Sequence, residues 1–226
     1  MRLAKDQIAR YRAELEPWQR PSEMLRRARR LMDLMGSADL FNQPGADFIT
    51  EAWAAAQFAR GRYALAVRLV AARDQWPDFE IRTRRGEVER WEFTEVDHPK
   101  RRRGLEMRRA DARRAAGKST NKPLPFARLL KQVARVPRWI RARCRAKVQK
   151  RYGGRAGLLI YLNWSDFGAR HAEVEQSLLP ATRIAKDAFT EVWVLWETQL
   201  YQTWRAGKAA KTVKDAPGTH DAYARR

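Results

Sequence analysis

Pro77-Asp78-Phe79-Glu80-Ile81-Arg82, then Thr83-Arg84-Arg85-Gly86, then Glu87-Val88-Glu89-Arg90-Trp91-Glu92-Phe93-Thr94-Glu95-Val96-Asp97: along this run the apolar period changes from helical to two. Apolar and charged residues alternate on both sides of a glycine-containing turn, which predicts a β-hairpin. Asp78, Glu80 and Arg82 share one face of the first arm, and Trp91, Phe93, Glu95 and Asp97 share one face of the second. Upstream, a broad apolar stripe from Phe48 and Ile49 through Trp53 and Phe58 to Leu69 predicts one long helix over about Asp47 to Ala72, packed against a large surface.

Downstream, Lys100 to Lys118 holds nine basic residues against Glu106 and Asp111, and reads as an exposed helix. Phe126, Leu129, Leu130, Val133, Ile140, Cys144 and Val148 recur at helical spacing, with Pro137 predicting a kink or two abutting helices. Gly157-Leu-Leu-Ile-Tyr-Leu-Asn163 has no polar alternation, as in a strand covered on both faces. A helix over about Ala169 to Phe189, bent near Pro180, returns the chain to a buried strand at Glu191–Trp196. This order of elements predicts an α/β fold with a mixed sheet flanked by helices. Residues 1–45 read as a basic helical arm, 46–205 as the core and 206–226 as a basic flexible tail.

Composition bounds the chemistry. The chain has 226 residues, with 47 Lys+Arg against 26 Asp+Glu for a net charge of +21, and nine Trp. Its aromatic content sets it apart from charged disordered chains. Cys144 is the sole cysteine, and His98, His171 and His220 are scattered, so cysteine or histidine zinc sites and internal disulfides are excluded. No apolar run approaches the length of a membrane span, and Met1–Asp6 lacks a signal core, so a cytoplasmic location with no membrane partner is expected. Ala112 to Thr120 ends like a phosphate-binding loop but lacks its first glycine and preceding strand; Ser165 and Asp166 read as helix caps.

The element order, with acids at particular points in it, resembles the PD-(D/E)XK phosphodiesterase superfamily, the restriction-endonuclease-like fold. Pro77-Asp78 matches the first half of its signature; Glu95-Val96-Asp97 stands where the family has acid-x-lysine; Glu51 resembles the glutamate that many members place on the preceding helix. The resemblance implies a nuclease in which Glu51, Asp78 and Glu95 hold Mg²⁺ or Mn²⁺, with Asp97 as an accessory ligand. It also implies that the missing cation comes from the next helix, as Lys147 or Lys150, with Lys100 as another candidate. The reading requires Asp78 and Glu95 to converge. Hard carboxylate oxygens suit such ions independently of the resemblance.

The positive charge points to nucleic acid, with DNA favoured over RNA. Arg82, Arg84 and Arg85 on the hairpin, Arg101, Arg102, Arg103 and Arg108 after it, and Arg141 and Arg145 on the later helix are the candidate phosphate contacts. A homodimer would suit cleavage of both strands of a duplex, and oligomeric state stays open. The rival expectation is a nuclease-fold protein that binds nucleic acid without cutting it, with Asp97 at the lysine position as the reason.

Overall fold

The computed structural model describes residues 2–71, 74, 76–98, 103–118, 125–150, 155–164, 170–197, 199–206 and 211–213. Seven strands form one mixed sheet in sequence order: β1 (Ala66–Leu69), β2 (Phe79–Arg82), β3 (Val88–Val96), β4 (Gly157–Leu162), β5 (Glu191–Trp196), β6 (Gln199–Arg205) and β7 (Lys211–Val213). β1, β2 and β3 are antiparallel neighbours, β3, β4 and β5 are parallel, and β6 and β7 return antiparallel.

Helices cover both faces. On one lie α1 (Lys5–Ala13), α2 (Pro21–Met35) and α4 (Asp47–Gly61), with the short α3 (Ser37–Leu40) between the last two. Leu15, Met24, Phe48, Ile49 and Phe58 from that side pack with Phe79, Trp91, Leu159 and Trp193 of the sheet. On the other face lie α6 (Phe126–Val133), α7 (Val136–Val148) and α8 (His171–Thr182), whose Val136, Ile140, Cys144 and Val174 meet Val96, Leu158, Ile160 and Val194. The alternation of β4 explains its all-apolar sequence: Leu158 and Ile160 serve one core, Leu159 and Tyr161 the other. α5 (Arg103–Ala115) lies between β3 and α6 in the chain, with Gly104 its one buried residue.

Three expectations change. The long helix stops at Gly61, because Tyr63 turns into the left-handed region at φ 53°. Val67 and Leu69 then point inward and Ala66 and Arg68 less so, a period of two that merges with the helical stripe when read as letters. The N-terminal segment is no arm. α2 packs along α4, Gln19 bridges to Val67, and Leu3, Leu15, Met24, Leu25, Ala28, Leu31 and Met35 all belong to the core. Finally, part of the expected tail, Lys211–Val213, pairs with β6; residues 207–210 and 214–226 lie outside the described residues. Pro137 acts as expected, standing in the first turn of α7 where its missing N–H costs nothing and separating that helix from α6.

Candidate active site: three carboxylates around a helical lysine

Register builds the site. Phe79 pairs with Trp91, which places Asp78, one residue before β2, opposite Glu92. The Asp78 N–H donates to the Trp91 carbonyl at 3.1 Å, and the Phe93 N–H donates to Asp78 Oδ2 at 2.7 Å, so the carboxylate is fixed by backbone. Near the C-terminal end of α7, Lys147 turns inward beneath the face that carries Trp139, Ile140 and Cys144. Its Nζ donates to Glu92 Oε2 at 2.6 Å and to Asp78 Oδ2 at 3.1 Å. The Glu92 side chain is 2% exposed, so this ion pair is buried where charge needs a partner. Burial works against the Lys147 ammonium, but Asp78 and Glu92 outweigh it and hold its pKa above the ordinary 10.5.

Glu51 approaches from α4 in the opposite layer. Its Oε1 is buried and makes no hydrogen bond. Burial first, then the charge of Asp78, push its pKa from 4.5 to about 8; Arg12 and Lys147 oppose the rise and Glu92 adds to it. The carboxyl is therefore protonated at neutral pH in the absence of another cation. Among the described residues no three His, Cys, Asp or Glu side chains stand ready to hold a metal ion, the Lys147 ammonium lying between Asp78 and Glu92.

Of the expected site residues, Asp78 and Lys147 meet directly, and Glu51 feels the charge of both from α4. Glu95 and Asp97 do not join them, so the convergence of Asp78 and Glu95 that the expected reading required does not occur, and the expected metal set of Glu51, Asp78, Glu95 and Asp97 is not assembled. Glu95 is three residues beyond Glu92 on a strand, hence on the opposite face. Its two oxygens accept from Arg103 Nη1 and Nη2 at 2.6 and 2.8 Å, and Asn163 Nδ2 donates to Oε1 at 2.6 Å. Asp97 pairs with Arg103 Nε at 3.0 Å. These two acids thus dock the start of α5, with the Arg103 guanidinium also 4.3 Å from the centre of the Phe41 ring. Lys150 is exposed past the end of α7. The residue two beyond Glu92 is Thr94, which is the position Asp97 was expected to hold relative to the acid.

The basic residues divide. Arg103 is engaged as above. Arg82 and Arg68 lie over the Trp18 ring at 4.7 and 4.8 Å. Arg84 is exposed but donates to the Tyr63 carbonyl at 3.3 Å. Arg85, Arg108, Arg141 and Arg145 are exposed, while Lys100, Arg101 and Arg102 lie outside the described residues. Cys144 is a buried thiol whose pKa burial pushes up to about 12, which makes it unreactive.

No described helix is long and apolar enough to cross a membrane. Compared with known proteins, the chain matches no family model, no curated protein and no solved structure. The class that the fold defines is thus a mixed α/β sheet flanked by helices on both faces, with an inward lysine bridging two carboxylates beside a third.

Proposed function

We propose that the protein is a metal-dependent nuclease of the PD-(D/E)XK type, hydrolysing phosphodiester bonds in nucleic acid, with DNA favoured. The observation that carries this reading is Lys147 Nζ bridging Asp78 and Glu92, with the half-buried Glu51 in their electrostatic reach. Element order supports it: α4, β1, β2, β3, helix and β4 follow the order on which the family resemblance rests. Within that order the acid of the second half-motif is Glu92, and the cation comes from α7 in place of Thr94.

The oxygen donor types are those Mg²⁺ or Mn²⁺ prefer, and an ion there would compete with Lys147 for Asp78 and Glu92. Asp78 and Glu92 are hard oxygen ligands, and the unpartnered Oε1 of Glu51 is a buried acceptor that a cation would satisfy. Bound there, such an ion would lower the pKa of a coordinated water and offset charge on the transferring phosphoryl group. The protein's own share is electrostatic and positional. With its pKa above 10.5, Lys147 stays an ammonium at neutral pH, so it serves as a hydrogen-bond donor and charge stabiliser and not as a base. The exposed arginines of α5 and α7 supply sequence-independent phosphate contacts.

The test is incubation with labelled single- and double-stranded DNA and RNA at low salt with Mg²⁺, Mn²⁺ or EDTA. Metal-dependent cleavage by the wild type is expected to be lost in Asp78→Asn, Glu92→Gln and Lys147→Ala, and to survive in Glu95→Gln. Cleavage that persists in Glu92→Gln, or salt-sensitive binding with no cleavage in any metal, would overturn the reading; the second result would leave a nucleic-acid-binding protein on a nuclease-like fold.

A further inference from the structure

α1 brings a second cation to the acid cluster. Arg12 Nη2 donates to the Val70 carbonyl at 3.2 Å, and its guanidinium carbon lies 5.9 Å from the centre of the Phe48 ring. These two contacts locate it. Phe48 precedes Glu51 by three residues on α4, so both occupy one face of that helix. The Val70 N–H donates to the Asp78 carbonyl at 3.1 Å. Arg12 is therefore seated between the turn of α4 that carries Glu51 and the backbone that carries Asp78. After burial and Asp78, its charge is the strongest influence on the Glu51 carboxyl.

The guanidinium is under-used. It has five N–H donors, and among the described residues its one hydrogen bond goes to Val70 and it makes no ion pair. Its Nε is buried without a hydrogen-bond partner, and leaving such a donor unsatisfied costs on the order of 1–3 kcal/mol. Most of the described arginines stand in solvent, where a charge costs little to hold. This one is held by Val70 and Phe48 within electrostatic reach of the Glu51 carboxyl and, among the described residues, pairs with no carboxylate. Charge supplies the reason. Three carboxylates, Lys147 and a divalent ion carry no net charge together, so Arg12 is the group that leaves the site complementary to the single negative charge of a phosphodiester.

We propose that Arg12 is a phosphate-binding residue of this site: a guanidinium delivered by the N-terminal helix that grips the phosphodiester of the nucleic acid beside the carboxylates. This rests on the nuclease reading above and names the residue that takes the substrate's charge. The N-terminal segment is then part of the functional unit as well as of the core.

The experiment measures binding of a short duplex DNA over a salt series with Ca²⁺ in place of the catalytic ion, and separately kcat/KM with Mn²⁺, for wild type, Arg12→Gln, Arg12→Lys and a control, Arg26→Gln. Arg26 is highly exposed on α2. Losing one phosphate contact is expected to lower the log–log salt slope by about 0.9 in Arg12→Gln and to weaken binding at low salt by about tenfold, the low end for a charge-assisted hydrogen bond. Arg12→Lys should keep the wild-type slope, and Arg26→Gln should match wild type. Both Arg12 variants keep an aliphatic stem against Phe48; thermal melting checks that each is folded. Equal slopes for Arg12→Gln and wild type would overturn the proposal, as would equal losses in Arg12→Gln and Arg12→Lys. A wild type that binds DNA but cuts it with no metal defeats the nuclease reading; a wild type that cuts, with Arg12→Gln indistinguishable from it, defeats only the role given to Arg12.

Discussion

Glu51 and Lys147 show how burial and partners set opposite outcomes for two ionisable groups that feel each other's charge. Lys147 has two carboxylates within hydrogen-bond reach and stays charged. Glu51 has none of its own and is pushed to about 8. The linkage sign follows. Between about 4.5 and 8 the unfolded chain has released this proton while the folded chain keeps it, so the folded state binds more protons and stability falls as pH rises across that window. Below 4.5 and above 8 the contribution is flat. The charged groups facing Glu51 are Asp78, Glu92, Arg12 and Lys147. In Glu51→Gln this decline should vanish, raising stability at pH 8 relative to wild type more than at pH 5; urea midpoints at the two pH values check it. Added Mn²⁺ should reduce the wild-type decline if the ion binds the ionised carboxylate.

At the scale of elements, close backbone approaches explain two glycines. A Cβ on Gly157, the first residue of β4, would meet the Trp91 ring at 2.3 Å, and Trp91 is a buried core residue that also contacts Phe58. A Cβ on Gly104 would meet the end of the Asn42 side chain at 1.9 Å, where α5 sits against α3. The first neighbour is held by the core and the second is the tip of a polar side chain. Gly157→Ala should therefore lose about 1–3 kcal/mol by overpacking, and Gly104→Ala clearly less, as read from denaturant unfolding. A larger loss at Gly104 would mean that α5 docking matters more to the fold than its single buried residue indicates. The hairpin shows what was legible at this scale. The turn read at Thr83–Gly86 sets Asp78 opposite Trp91 when counted outward; the turn that forms runs one residue longer, pairs Arg82 with Val88 and so sets Asp78 opposite Glu92. The resemblance favoured Glu95 as the acid on the strand after the hairpin, although Asp97 stands where its motif has lysine. The strand β1 was harder, since four residues of period two directly follow a helix rich in the same apolar types.

For the whole molecule, the N-terminal residues form a layer of the structure. Met24 is fully buried against the α4 side of the core. Met24→Ala should cost about 2–5 kcal/mol, measured by urea unfolding followed through tryptophan fluorescence; a detached arm would lose nothing. The +21 charge has the opposite character, because it is carried at the surface and acts through solvent over about a Debye length. Composition therefore stated it fully. The sequence by itself determined the elements whose signals are local: the two-residue period of the hairpin, the continuous apolar run of β4, the break at Pro137 and the excess of arginine. These depend on residues within a turn or a strand of each other. Tertiary structure alone decided that Arg103 takes Glu95 and Asp97 out of the site, that Lys147 enters it while Lys150 does not, and that α1 places Arg12 beside Glu51. Each of those outcomes turns on which helix face meets which strand across long separations, and identical side chains differ there only in what the fold sets against them.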